Sequence, residues 1–317
     1  MKRLIPATVL AGLLVLVYFQ SGLSGPGSTS AAPNRQAASG QRASLPASQA
    51  ARPEKYPSDE LTGACDRAAR DLKKKLDDTF NTYVEPPFVI AGNLPTAELK
   101  SYAAACVTRP AKAMWTAYFK KKPDRVITVL LFADDKTYRS WAKKLFGDED
   151  VSHFGYYKPD KRTMVMNIAT GGGTLIHELT HALIVYDFPD VPQWFNEGLG
   201  SLHEGCRVGD DDIIGAINWR LPELLTAVKE GKLRPLREMV TKDDFYGPQR
   251  GLNYAQSRYF FMYVQKQGLL KKLYAYYRDN HEGDDAAVKA IQHVFGGKKI
   301  EDIEKDYVAW VKKLRPE

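Results

Sequence analysis

Residues 174–184 have the sequence Thr-Leu-Ile-His-Glu-Leu-Thr-His-Ala-Leu-Ile, and the interpretation of the whole chain depends on them. They contain two histidines four positions apart, His177 and His181, with Glu178 beside the first. On an α-helix four residues advance by about 400°, so both imidazoles lie on one face, one turn apart. The spacing therefore predicts that both rings reach one metal ion, with bonds of about 2.0–2.1 Å if the ion is zinc.

The flanking residues favour a buried helix. Three glycines, Gly171 to Gly173, are expected to end the preceding secondary-structure element, and Thr174 is the predicted N-cap of the helix. Glu178 lies about 100° around the helix from His177, where it can face metal-bound water without being a ligand. This is the geometry of the general base in a zinc hydrolase. The alternative is a core helix that carries two hydrogen-bonded histidines.

A catalytic zinc site has three protein ligands, and the sequence offers two candidates for the third. Asp187 lies ten residues after His177, the spacing used in one zincin pattern, but that pattern needs a turn-forming glycine where this chain has Ile184. The helix is therefore expected to continue and carry Asp187 away from the metal. Glu197 lies 16 residues after His181, beyond Pro189 and Pro192, in a second predicted helix. Two antiparallel helices would bring Glu197 over the histidine face.

At these residues the chain resembles the gluzincin metallopeptidases, specifically the peptidase MA-like group, whose second helix carries a Trp-x-x-Glu-Gly-type motif. Here that motif begins at Trp194 and ends at Gly198, and the resemblance extends over residues 155–268. It implies a zincin-like α+β fold, zinc as cofactor, His177, His181 and Glu197 as ligands, and Glu178 as general base. Several members also have an acidic residue four positions after the third ligand that supports a ligand histidine. This chain has Ser201 there, which leaves that supporting partner open.

Two further expectations follow from the resemblance. A Tyr-Ala-x-Ser-type stretch occurs at 254–257, and Tyr254 is a candidate donor to the oxyanion of a tetrahedral intermediate. The alternative for Tyr254 is core packing among neighbouring aromatic residues. The predicted strand 163–168 is expected to be the sheet edge that pairs with an extended peptide substrate. The alternative is a structural hairpin with a solvated edge.

The N-terminal residues predict export. Charged residues precede an apolar run at 9–19, so residues 1–24 are interpreted as a signal peptide, cleaved or retained as a membrane anchor, and 25–57 as a disordered Ser/Ala/Pro-rich linker. The expected location is extracytoplasmic: periplasmic, secreted or membrane-anchored. Residues 1–57 carry six basic residues and one acidic residue, so only +2 of the chain's +7 belongs to the remainder. Charge therefore gives no support for nucleic-acid binding.

Hydrophobic periodicity outlines two parts, an N-terminal α/β part at 58–170 with a small mixed sheet and a helical, zinc-binding part at 171–317. The predicted elements of the first part are helices at 61–83, 96–121 and 134–146, strands at 88–91 and 126–133, and a hairpin of 153–157 with 163–168. After the second metal helix the chain is expected to be helical to its end. Of the three cysteines, Cys65 and Cys106 are the favoured disulfide pair, with Cys206 a free thiol.

These patterns together predict an exported zinc-dependent metallopeptidase that hydrolyses peptide or protein substrates. The alternative is a catalytically inactive zincin-fold protein that binds peptides or envelope components. The sequence leaves the substrate, endo- versus exopeptidase action and the oligomeric state open.

Overall fold

The computed structural model describes residues 55–316. The predicted signal segment 1–24 lies outside the described residues, as does the predicted linker apart from residues 55–57. The strands are β1 Asn81–Glu85, β2 Phe88–Gly92, β3 Ile127–Phe132, β4 Gly155–Lys158, β5 Thr163–Asn167, β6 Cys206–Val208 and β7 Ile213–Gly215. The α-helices are α1 Asp59–Lys75, α2 Thr96–Ala103, α3 Arg109–Ala117, α4 Asp135–Phe146, α5 Gly173–Asp187, α6 Gln193–Glu204, α7 Leu221–Lys229, α8 Leu236–Thr241, α9 Arg250–Lys266, α10 Leu270–Asp279, α11 Ala286–Val294 and α12 Ile300–Val311.

Five strands form one mixed sheet in the order β1-β2-β3-β5-β4. Strands β2, β3 and β5 are parallel, while β1 and β4 run antiparallel at the two edges. The parallel strands are almost continuously apolar because both faces of the sheet are covered. Ile90, Val129 and Met164 lie in one register on one face, and the residues that follow each of them point to the other.

The two faces carry different helices. One is covered by α1 and α4, whose apolar residues pack around Leu130 and Phe132 or around Val89. The other face carries α2, α3 and α5, and its core continues without interruption into the C-terminal helices as far as Val311. Helix α6 packs between α5 and α9, which places α5 between the sheet and the helical half of the molecule. The predicted combination of a mixed sheet with a mostly helical remainder is confirmed.

Three predictions about individual elements are wrong. The helix predicted at 61–83 ends at Lys75, and Asn81–Glu85 is a strand because it pairs along its whole length with β2. Strand β5 is not an edge: β4 pairs on its outer side, so β4 is the edge strand on this side of the sheet. The chain after α6 is not purely helical, since β6 and β7 form a short hairpin.

The favoured disulfide is also absent. Cys65, Cys106 and Cys206 are all free thiols. Cys65 lies on α1 and packs against Val89 on one face of the sheet, whereas Cys106 belongs to the core on the opposite face. The sheet thus separates the two sulfur atoms. Within residues 55–316, every helix is too short or too polar to cross a membrane.

Candidate metal centre

Helix α5 presents the two motif histidines on one face. It begins at Gly173 with Gly172 as its N-cap, so the prediction that Thr174 caps the helix is wrong by two residues. The first residue of the helix packs directly against the end of α6. A Cβ at Gly173 would lie 2.3 Å from the carbonyl oxygen of Glu204, so this position requires glycine. The rings of His177 and His181 meet edge to face with centroids 4.7 Å apart, as expected for a spacing of one helical turn.

Helix α6 brings Glu197 to these rings. Its Oε2 lies 3.2 Å from Nε2 of His177 and 3.5 Å from Nε2 of His181. One donor atom from each of the three residues lies within 4.8 Å of the other two. Tetrahedral zinc with bonds of about 2.0–2.1 Å holds its ligand atoms about 3.3–3.4 Å apart. Two imidazoles and one carboxylate therefore fit a zinc ion in both donor chemistry and spacing.

Two glycines allow α6 to approach so closely. A Cβ at Gly200 would lie 3.1 Å from the ring of His181 and 3.2 Å from Nε2 of His177. A Cβ at Gly198, on the other side of the helix, would lie 2.7 Å from the ring of Phe261 in α9. Because neither position has a side chain, α6 fits between α5 and α9 closely enough to bring Glu197 to the two imidazoles.

The charges at the centre stabilise one another. Burial alone would raise the pKa of Glu197, but hydrogen bonds and charge from His177 and His181 hold it well below its usual range. Burial alone would lower the pKa of His181, but Glu197 outweighs it and raises this pKa to about 9. In the metal-free protein the imidazolium thus balances a carboxylate that is only 5% exposed. A bound metal cation would supply the balancing positive charge in place of the imidazolium.

The supporting hydrogen bond of His181 comes from a residue that the sequence analysis missed. Nδ1 of His181 lies 2.8 Å from Oδ1 of Asn196, which precedes Glu197 on α6. The Nδ1–H donates to this amide oxygen and leaves Nε2 free for a metal, the usual arrangement for a ligand histidine. Ser201 occupies the position that is acidic in several members of the resembled group. Among residues 55–316, neither its buried hydroxyl nor the buried Nδ1 of His177 has a hydrogen-bond partner.

Glu178 and Tyr254 both lie beside the centre. Glu178 is partly buried, and its charge contributes to raising the pKa of His181 and of Tyr246. Among residues 55–316 no hydrogen bond occupies its carboxylate, so it is available to a water molecule. The ring of Tyr254 lies 6.4 Å from that of His177. Burial, and then the charge of Glu197, raise the pKa of Tyr254, so its phenol remains a hydrogen-bond donor.

Asp187, the other candidate third ligand, is at the opposite end of α5. The helix continues through Ile184 as predicted and ends at Asp187. Its carboxylate accepts hydrogen bonds from the backbone of Lys120 and Lys121, from Tyr274 and from Arg278. These four donors leave it no role at the metal centre.

A second residue missed by the sequence analysis is Tyr246, in the segment between α8 and α9. Its hydroxyl donates a hydrogen bond to Oε1 of Glu197. No sequence signal identifies it, because it lies 49 residues from Glu197 outside any motif. Its position depends entirely on the tertiary structure.

Comparison of the chain with protein-family models and with curated proteins gave no match.

Proposed function

We propose that this protein is a zinc-dependent metallopeptidase of the gluzincin type that acts outside the cytoplasm. The observation that carries the proposal is the convergence of His177, His181 and Glu197, whose donor atoms all lie within 4.8 Å of one another. The unoccupied carboxylate of Glu178 next to them supports hydrolysis over a purely structural metal site. The apolar residues 9–19 support export.

Each residue has a distinct role in this proposal. His177, His181 and Glu197 would hold the ion, while Asn196 fixes the tautomer of His181. Zinc held by these residues would supply Lewis-acid chemistry, activating water and polarising the substrate carbonyl. Glu178 accepts the proton of the attacking water and then delivers it to the leaving amine. Tyr254, protonated at neutral pH, donates a hydrogen bond to the carbonyl oxygen as negative charge develops on it.

Glu178→Gln and Glu197→Gln separate catalysis from metal binding. Glu178→Gln is expected to keep about one zinc per chain and to lose about 10²–10⁴-fold in turnover, because only the proton acceptor is removed. Glu197→Gln is expected to lose the zinc and the activity together. Metal content is measured by mass spectrometry, and hydrolysis is measured on a mixed peptide library.

Glu98→Gln is the matched control, because Glu98 is an exposed glutamate on α2, and it should behave as the wild type. Substantial activity in Glu178→Gln would remove the role assigned to Glu178. A wild-type protein with zinc but no hydrolysis of any peptide would favour the binding-protein alternative. Absence of zinc from the wild type after reconstitution would overturn the proposal altogether.

A further inference from the structure

Tyr246 connects the surface of the molecule to the buried centre. Its side chain belongs to the segment between α8 and α9 and is 52% exposed, yet its hydroxyl donates to the carboxylate of Glu197, a residue only 5% exposed. A half-exposed tyrosine could direct its hydroxyl to water. Here the hydroxyl points inward, and the neighbouring residues hold it there.

The two oxygens of Glu197 have separate partners. Oε2 faces Nε2 of His177 at 3.2 Å and Nε2 of His181 at 3.5 Å, whereas Oε1 accepts the hydrogen bond from Tyr246. A carboxylate can bind a metal through one oxygen or through both. The hydrogen bond from Tyr246 holds Oε1 toward the surface segment, and Oε2 is the oxygen that faces both imidazoles.

The backbone of Tyr246 is itself held in place. Asn253, buried in α9, donates its side-chain amide to the carbonyl of Phe245 at 2.8 Å. The ring of Phe245 is buried and packs edge to face against Tyr246 at 5.5 Å and against Tyr254 at 5.0 Å. The segment is therefore anchored to α9 on one side of Tyr246, and the hydroxyl is directed at Glu197 by a fixed neighbour.

We propose that Tyr246 is a positioning residue that holds Glu197 in the orientation of a one-oxygen metal ligand. This inference rests on the proposed zinc site. Removal of the hydroxyl frees Oε1, so that the carboxylate rotates or binds through both oxygens. Loss of a hydrogen bond behind a metal ligand typically costs 10–100-fold in metal affinity.

Tyr246→Phe tests the inference because it removes only the hydroxyl and keeps the ring that packs on Phe245. Two measurements are made on the full chain: zinc affinity by competition with a chromophoric chelator, and the visible absorption spectrum after cobalt(II) substitution. We expect zinc affinity to fall by about 10-fold or more. We also expect the cobalt bands to change in position and intensity, because they report the number and arrangement of the ligands.

Tyr83→Phe is the matched control, since the hydroxyl of Tyr83 also binds a carboxylate, that of Glu85 at 2.6 Å, in strand β1. It should leave both measurements unchanged. Tyr246→Ala should reproduce the cobalt spectrum of Tyr246→Phe, and the thermal transition of each metal-free variant checks folding.

The outcomes distinguish the two proposals. Zinc affinity and a cobalt spectrum identical to the wild type in Tyr246→Phe would overturn the positioning role and leave the proposed function intact. A wild-type protein that binds neither ion would overturn both.

Discussion

Two buried carboxylates lie along the same pair of helices, and they differ in the charges that surround them. Asp187, at the end of α5, is 4% exposed and receives four hydrogen bonds, one of them from the permanent cation of Arg278 at 2.8 Å. Glu197, on α6, is 5% exposed and is surrounded by two imidazoles and the hydroxyl of Tyr246. Among residues 55–316, none of the groups that bind its carboxylate is always positively charged.

This difference separates a structural carboxylate from the proposed metal ligand. A buried anion is tolerated when it is paired and fully hydrogen-bonded, and Asp187 satisfies that condition without any addition. Glu197 satisfies it in the metal-free protein only when a histidine is protonated. Both residues were candidates for the third ligand from spacing alone, and their surroundings distinguish them.

The largest effect is expected from Asp187→Asn. Because the change removes the buried anion of this ion pair and leaves Arg278 only the exposed carboxylate of Asp279, the free energy of unfolding should fall by about 3–5 kcal/mol. Urea denaturation of the metal-free protein measures it. Asp279→Asn is the control: Asp279 pairs with the same arginine but its side chain is 57% exposed, so a loss of no more than about 1 kcal/mol is expected. Loss of zinc binding in a folded Asp187→Asn protein would show that the two carboxylates do not have separate roles.

A smaller effect is expected from metal addition. Zinc at about 100 times its dissociation constant should raise the free energy of unfolding of the wild type by about 2.7 kcal/mol, because the ion binds only the folded chain. Glu197→Gln should show almost none of this increase, whereas Asp279→Asn should show all of it. Urea denaturation with zinc and with a chelator gives the comparison. An equal increase in Glu197→Gln would place the ion elsewhere.

The smallest effect, taken per pH unit, is expected from pH. Glu197 raises the pKa of His181 above its ordinary value of 6.5 to about 9, so the stability it contributes is complete below about pH 6.5 and is lost as the pH rises through about 9. The free energy of unfolding of the metal-free protein should therefore decrease across that window, by at most about 1.4 kcal/mol per pH unit.

The region around Asp187 should contribute nothing to this slope. Hydrogen bonds to Asp279 and Asp187 raise the pKa of Arg278 above its usual value, so the guanidinium stays charged throughout this pH window. Denaturation at pH 6.5, 7.5 and 9 tests this on the wild type beside Glu197→Gln. The slope should disappear in the variant, and an unchanged slope would assign it to another group.

Local patterns predicted the elements but not their neighbours. Three features follow from the residues themselves: the apolar run of β3, the extent of α4 to within one residue, and the continuation of α5 through Ile184. Strand β1 was missed because Asn81–Glu85 becomes a strand through its pairing with β2. The edge position was wrongly given to β5 because a hairpin pattern does not tell which of its two strands pairs further into the sheet.

The same limit applies to the metal centre. Motif spacing identified His177, Glu178 and His181, and helix geometry indicated how Glu197 would approach them. Asn196 and Tyr246 were missed, because their contacts depend on how α6 and the segment before α9 pack against α5. The sequence offered no signal for Asn196 except its position next to Glu197, and it offered none for Tyr246.

Gly200 also sets how closely α6 can approach the two imidazoles. A Cβ there would lie 3.1 Å from the ring of His181 and 3.2 Å from Nε2 of His177, so any larger residue would require the rings or the helix to shift by a few tenths of an ångström. The separation of the three candidate ligands is therefore limited at a residue that has no side chain. An alanine at this position would alter the geometry of the proposed site without changing a single ligand atom.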